Sequence, residues 1–208
     1  MKQDQEVAAP TLRRPGRPSV DRREEILAAA EQLYDSIGYE KTTIGDIARE
    51  LGMSPANLYR SFPNRQAIDD ALARRKLMVI EDAAWAAARG GSDAATTLRE
   101  LATTVLQETQ RLVFSDRRMH HLCAIAARER WPAVQAYLDG LHGAVRHVIM
   151  EGQRSGTFRK TDPDAAAESV CAAFVKVWHP YMIEIFADED LAQTAERIST
   201  LIVTGLRT

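Results

Sequence analysis

Between residues 42 and 65 short apolar clusters alternate with helix-stopping residues, in a pattern that predicts two brief helices and a tight turn. Ile44, Ile47, Ala48 and Leu51 recur at helical spacing, and Gly52 follows with the backbone freedom that ends a helix in a left-handed residue. Ser54 and Pro55 then supply an N-cap and a first helical residue, so a second helix begins there. Leu58 and Phe62 form its one apolar edge, leaving Ala56, Asn57, Tyr59, Arg60 and Ser61 on its other faces. A helix this short does not stand alone, and its polar face is available to a partner. Pro63 breaks it and Asn64 caps the next helix.

The helical period persists downstream. Asn64 to Arg89 reads as one long helix ending at Gly90-Gly91, and residues 93–114 as the next, with Ser92 as its cap. Further helices are predicted over 116–130, from Pro132 to near Gly156, and from Asp162-Pro163 onward. In this last segment Ala166, Val170, Ala173, Val177 and Tyr181 form an apolar line. A final helix from about Glu189 carries Leu191, Ala195, Ile198, Ile202 and Gly205 in similar register. Strand-like alternation is missing throughout, so the expected fold class is all-α, with about nine helices. Pro180 lies inside the helix that starts at Asp162-Pro163, where it removes a hydrogen bond and introduces a kink, freeing a carbonyl near residue 176. The sequence leaves two uses open for that kink: a ligand cavity among Trp178, His179, Tyr181 and Met182, or a bend that shapes a subunit interface.

The order Ile26, Ala30, Leu33, Ile37, then Gly38-Tyr39, Thr42-Thr43, Asp46-Ile47-Ala48, Leu51-Gly52-Met53-Ser54 and Leu58-Tyr59-Arg60-Ser61-Phe62 resembles the DNA-binding domain of the tetracycline-repressor family of bacterial transcription regulators. Ser61 stands where that family often has His or Tyr, and Arg65 where it commonly has Lys. The resemblance implies a helix-turn-helix head over residues 21–65 and a helical ligand-binding and dimerisation body over 66–208. Within the head, Asn57 is the expected base reader, with Ser54 and Ala56 beside it, while Thr43, Tyr59, Arg60 and Arg65 would meet phosphates. The family's plan puts Met78, Trp85, Thr104, Gln107, Met119, His120, His121, Trp178, Tyr181 and Met182 around an effector pocket. It also puts Val170, Phe174, Ile198, Leu201 and Ile202 in a homodimer interface, where the small Ala166, Ala172, Ala173 and Ala195 let helices approach. The implied function is a repressor that binds a palindromic double-stranded DNA operator as a dimer and is released by a small-molecule effector. The alternative is a DNA-binding regulator that answers to a protein partner.

Composition changes this picture little. The 208 residues are 45% hydrophobic and 27% charged, ordinary for a globular chain, and the formal net charge of -2 does not by itself suggest nucleic acid. Residues 1–76 hold 13 Lys/Arg against 12 Asp/Glu, leaving 14 against 17 for the remainder, so a DNA-binding argument rests on placement rather than on excess charge. Residues 1–20 read as an arm whose Arg13-Arg14-Pro15-Gly16-Arg17-Pro18 run suits a narrow minor groove; a solvated basic tail is the competing reading. Cys123 and Cys171 are too few for a metal cage or a disulfide framework and read as buried free thiols. His147 and Glu151 share a helix face but lack a third ligand, so neither metal nor cofactor is expected. Phosphate-loop, nucleotide and nucleophile motifs are missing as well, which disfavours an enzyme. With no signal-peptide core and no membrane-length apolar run, the expected compartment is the cytoplasm.

Overall fold

The computed structural model describes residues 22–91 and 93–207 and contains eleven helices among them. α1 (Arg22–Ile37), α2 (Ile44–Glu50) and α3 (Pro55–Tyr59) lie first. α4 (Arg65–Ala88), α5 (Ala94–Ser115), α6 (Arg117–Arg128) and α7 (Pro132–Ser155) follow, and then α8 (Pro163–Ala173), α9 (Val175–Trp178), α10 (Pro180–Ile185) and α11 (Leu191–Leu206). An isolated bridge between Phe158 and Arg207 is the one strand-like pairing among the described residues.

Capping chemistry fixes the boundaries. Thr43, Ser54, Asn64, Asp93 and Asp190 each accept a hydrogen bond from a first-turn backbone N–H of the helix they precede. The cap of α5 is therefore Asp93, bound by the N–H groups of Ala95 and Thr96, and not Ser92, which lies outside the described residues. Gly52 ends α2 with φ +60° and Gly156 ends α7 with φ +81°, the left-handed region where a side chain would be strained.

The core lies where α4 packs on α5 and α7. Leu72, Ile80, Ala84, Leu98, Leu101, Val105, Val145 and Val148 are all sealed from solvent there. Each large side chain so buried contributes about 1.5–3 kcal/mol before conformational entropy is charged against it. In α1 the buried stripe is Ile26, Leu27, Ala29, Ala30 and Tyr34. The expected stripe fails at its end: Ile37 is 45% exposed, because α1 stops there and the chain turns at Gly38.

Two further expectations are corrected. The helix predicted to run on from Asp162-Pro163 is three helices, broken at Phe174 and again at His179, whose ψ of 122° is extended. Pro180 is the first residue of α10, where its missing N–H costs nothing, and His179 Nδ1 accepts the Tyr181 N–H at 3.2 Å. These breaks rotate the register, so Ala167, Val170, Phe174, Val177 and Trp178 are buried while Ala173 and Tyr181 face out. In α11 the buried stripe is Leu191, Ala195, Ser199, Val203 and Leu206. Ile198 and Ile202 are half-buried beside it, and Gly205 is exposed.

Candidate functional site

The reading element is built from caps inward. Thr43 and Asp46 form a capping box: the Asp46 N–H donates to Thr43 Oγ1 at 3.2 Å and the Thr43 N–H donates to Asp46 Oδ2 at 2.9 Å. Bonds from the Thr43 hydroxyl and backbone, and then from Arg49, hold the Asp46 carboxyl below the usual carboxylate range. The Met53 N–H reaches back to Ala48 O at 2.9 Å and closes the turn. Leu58 and Phe62 are fully buried, which anchors the five-residue α3 by one edge. Arg23 from α1 lies 4.1 Å above the Phe62 ring and donates to Ser61 O, fixing the end of α3 against α1.

That anchoring decides what remains available. Ser54, Ala56, Tyr59 and Arg60 are exposed, Asn57 is half-buried on the same short helix, and Thr43 is exposed at the start of α2. Lys41, which the sequence reading did not single out, is exposed two residues before the Thr43 cap of α2. Arg13, Arg14 and Arg17 lie outside the described residues.

Arg65 is placed differently from its companions. Its guanidinium donates to Tyr39 O, lies 4.7 Å above the Tyr39 ring and brings Nε to 3.5 Å from Asp69 Oδ2. Asp69 is 2% exposed and accepts the Tyr34 hydroxyl. Burial pushes the Asp69 carboxyl above its ordinary range against the opposing pull of Tyr34 and Arg65, and burial together with Asp69 pushes the Tyr34 phenol up. Arg65 thus neutralises a buried carboxylate at the joint between α1 and α4, and a role limited to a phosphate contact does not fit that geometry.

The same joint reaches α6. Arg118 Nη1 donates to Tyr34 O at 3.2 Å, and Lys76 Nζ lies 2.6 Å from Glu31 Oε1 and 2.9 Å from Asp116 Oδ2. Burial pulls the Lys76 ammonium down, but bonds to Glu31 and Asp116 outweigh it and hold it above its ordinary value. Further along α6, His121 Nε2 is 3.7 Å from Glu40 Oε1 and His120 Nε2 is 3.5 Å from Glu184 Oε2 on α10. Helix α6 therefore touches the head on one side and the helix begun by Pro180 on the other.

Beside Pro180 lies a cleft of about 330 Å³ between α6, α7 and the α8–α10 segment. Of the residues expected around an effector, Trp178 and His179 line it and the others do not. Met119 is buried in the core, Gln107 and Tyr181 are exposed, and Thr104 and Met182 are half-buried. Met78 borders a surface groove with Glu24 and Arg75, and His121 faces Glu40. Trp85 packs onto α7 at Gly143, where a Cβ would stand 3.1 Å from the indole, and lies 5.9 Å from the His147 ring. The lining includes Val134, Tyr137, Leu138, Leu141, His142, Cys171, Val175 and His179, which the sequence reading did not assign to a pocket, with the exception of His179 named beside the proline. Among the described residues no group of three or more His, Cys, Asp or Glu is placed to hold a metal, and no helix is long and apolar enough to cross a membrane. Both cysteines are free; burial pushes the Cys123 thiol up to about 12 and that of Cys171 to about 11.

A second groove runs between α8 and α11, bordered by Ala165, Ala166, Ser169, Ile202 and Gly205. Leu201, also on α11, is 75% exposed. Val170 and Phe174, expected at a subunit interface with it, are buried within the protomer: Val170 borders this groove but is 3% exposed, and Phe174 is sealed and stacked on Trp178 at 4.6 Å.

The family model for tetracyclin repressor-like C-terminal domains matches residues 94–199, and that for bacterial regulatory proteins of the tetR family matches residues 26–72. Among curated proteins, the nucleoid occlusion factor SlmA of Photobacterium profundum is 33% identical over 76 residues, 32% of this chain and 39% of that protein. SlmA of Vibrio cholerae is 40% identical over 58 residues, 27% of this chain and 30% of that protein. The chain thus matches less than half the length of these relatives. Among solved structures, a Rhodococcus sp. RHA1 protein of unknown function superposes with a TM-score of 0.68 at 20% identity, covering 94% of this chain and 100% of that one. Thermus thermophilus FadR in complex with lauroyl-CoA gives 0.63 at 18% identity, covering 89% and 95%. SmeT, repressor of the Stenotrophomonas maltophilia multidrug efflux pump SmeDEF, gives 0.63 at 20% identity, covering 89% and 90%. At these identities the structural likeness is one of fold.

Proposed function

Because the chain belongs to the tetracycline-repressor family of bacterial regulatory proteins, and so is a DNA-binding transcription regulator and not an enzyme, we propose that it is a cytoplasmic repressor. In this reading it binds a palindromic operator as a homodimer and leaves it when a small molecule occupies the cleft beside Pro180. The observation that carries the reading is the run of contacts from that cleft to the head. Pro180 lines the cleft and begins α10; Glu184 of α10 faces His120 of α6; and Arg118 of α6 holds Tyr34 while Asp116, just before α6, holds Lys76. A ligand that binds the DNA-incompetent arrangement more tightly shifts the population by that difference in affinity and no more. The solved structure of FadR in complex with lauroyl-CoA supports a small-molecule signal.

Asn57 is proposed as the base reader, with Ser54 and Ala56 beside it and Thr43, Tyr59, Arg60 and Lys41 on phosphates. Selection of binding sites from genomic fragments, followed by a thermal-shift screen of a metabolite library, tests the reading. A compound that raises the melting temperature and releases the selected DNA over one concentration range is the expected result. The likeness to nucleoid occlusion factors supports a second reading, in which a protein partner sets the DNA-binding state. A library that moves neither melting temperature nor DNA affinity would favour it.

A further inference from the structure

The cleft beside Pro180 has a chemistry that narrows its ligand. None of the eleven residues lining it is Asp, Glu, Lys or Arg. Leu138, Leu141 and Val134 from α7 face Val175 and Trp178 from α9 across it. An ion entering would lose hydration and meet no opposite charge, a cost an uncharged ligand avoids. At about 330 Å³ the volume lies near the lower end of the range for small-molecule sites, roughly 300–1,000 Å³.

The polar groups of the aromatic walls are already engaged. The Trp178 indole N–H donates to Ala102 O at 3.0 Å, and its ring stacks on Phe174 at 4.6 Å with planes 15° apart. The Tyr137 hydroxyl is bonded to Thr109, and burial keeps its proton in place. The Cys171 thiol, pushed up to about 11 by burial, stays protonated and is a weak donor. Two imidazoles remain. His142 Nε2 lies 3.3 Å from Asp164 O; a carbonyl oxygen only accepts, so this nitrogen carries hydrogen and the neutral ring offers Nδ1 as an acceptor. His179 Nδ1 accepts the Tyr181 N–H at 3.2 Å, so the neutral ring carries its proton on Nε2 as a donor. Burial lowers the His179 pKa and favours that neutral form.

We infer that this cleft takes an uncharged, mainly apolar compound of one or two rings bearing a hydroxyl or carbonyl group, oriented by the donor of His179 and the acceptor of His142. The inference rests on the effector reading above and names its ligand class. It excludes carboxylates, sulfonates and ammonium compounds of the same shape.

Calorimetric titration of the full-length protein with 4-tert-butylphenol, 4-tert-butylbenzoate and 4-tert-butylbenzylammonium tests it. The phenol should bind at least about tenfold more tightly than either ion. Val175→Trp, at a half-exposed position on the cleft wall, should abolish phenol binding while operator affinity is kept. His179→Asn retains a cap for the Tyr181 N–H but loses the ring donor, and should weaken the phenol by about tenfold while leaving 4-tert-butyltoluene unaffected. Equal or tighter binding of either ion, no binding of any probe, or phenol binding that survives Val175→Trp overturns the ligand class. Operator release, followed in parallel, separates the two claims. Phenol that binds in the cleft without releasing DNA supports the ligand class and removes the effector reading; release by the benzoate alone overturns the ligand class and spares the effector reading.

Discussion

The hydroxyl of Tyr34, on α1, donates a hydrogen bond to the buried carboxylate of Asp69, on α4. Asp69 is 2% exposed, so this donor and the nearby Arg65 guanidinium stand in for the water it has lost. The tyrosine's own carbonyl accepts from Arg118 of α6, which makes this residue the point where the head meets both the linking helix and the body. Tyr34→Phe keeps the ring and removes the donor. It should destabilise the fold by about 1–3 kcal/mol in urea denaturation, with little change in the slope of the transition. A loss below a few tenths would mean that water reaches Asp69.

Asp69 also carries a pH signature. Burial raises its folded carboxyl above the unfolded value of about 3.9, so the folded chain holds a proton that the unfolded chain has released. Its contribution is complete below the unfolded value and is lost as pH rises through the raised folded value. Asp46 runs the opposite way: bonds from Thr43 and Arg49 depress it, so its contribution is present above the unfolded value and is lost as pH falls through the folded one. Asp69→Asn should therefore reduce the decline in melting temperature as pH rises from the unfolded value through the raised folded one. An identical pH profile in the variant would remove Asp69 from that decline.

Arg60 and Arg65 should part company on DNA. Arg60 is exposed, and Arg60→Ala should make the salt dependence of binding shallower by about 0.9 in log–log slope for one lost phosphate, without loss of stability. Arg65→Ala strips the guanidinium from a buried carboxylate and should cost about 3 kcal/mol of stability, with weaker DNA binding as a consequence. If Arg65→Ala instead leaves the melting temperature alone and changes only the salt slope, the side chain swings out to the backbone when DNA is bound.

Asn57 supplies an amide suited to bidentate pairing with adenine on a helix held to the core by Leu58. Asn57→Ala should change the preference among operator variants by about 1–3 kcal/mol at one base position while general affinity falls less. Unchanged relative affinities across those variants would move base reading to another residue.

The α8–α11 surface gives paired outcomes. Leu201 is 75% exposed, and Leu201→Glu should leave the protomer folded and shift light-scattering mass from dimer to monomer. Val170 is 3% exposed within the protomer, so Val170→Glu should unfold the chain before it tests assembly. A wild-type mass at the monomer value would set the dimer aside without any variant.

Most helices before Asp162, and the caps at Ser54 and Asn64, were legible in the sequence because their causes are local. Gly52, Ser54-Pro55 and Asn64 act within one turn of their own position, and Leu58 and Phe62 need only their four-residue spacing to share an edge. Family resemblance added DNA recognition, since the same short motifs recur in order from Ile26 to Phe62. The tertiary structure decided where long side chains spend their polar groups. Arg65 reads as a free cation on a polar face until Asp69 is found paired with Tyr34, a residue 35 positions away from it. Trp178 was flagged by its proline neighbour, but its donor is fixed by Ala102, 76 positions distant, and Trp85 is drawn to Gly143. The cleft is assembled from residues between Ala127 and Pro180 that share no spacing along the chain. Helical period determines which face a residue occupies, whereas the breaks at Phe174 and His179 set the rotation of the segments beyond them, and only the packed fold fixes what each face then meets.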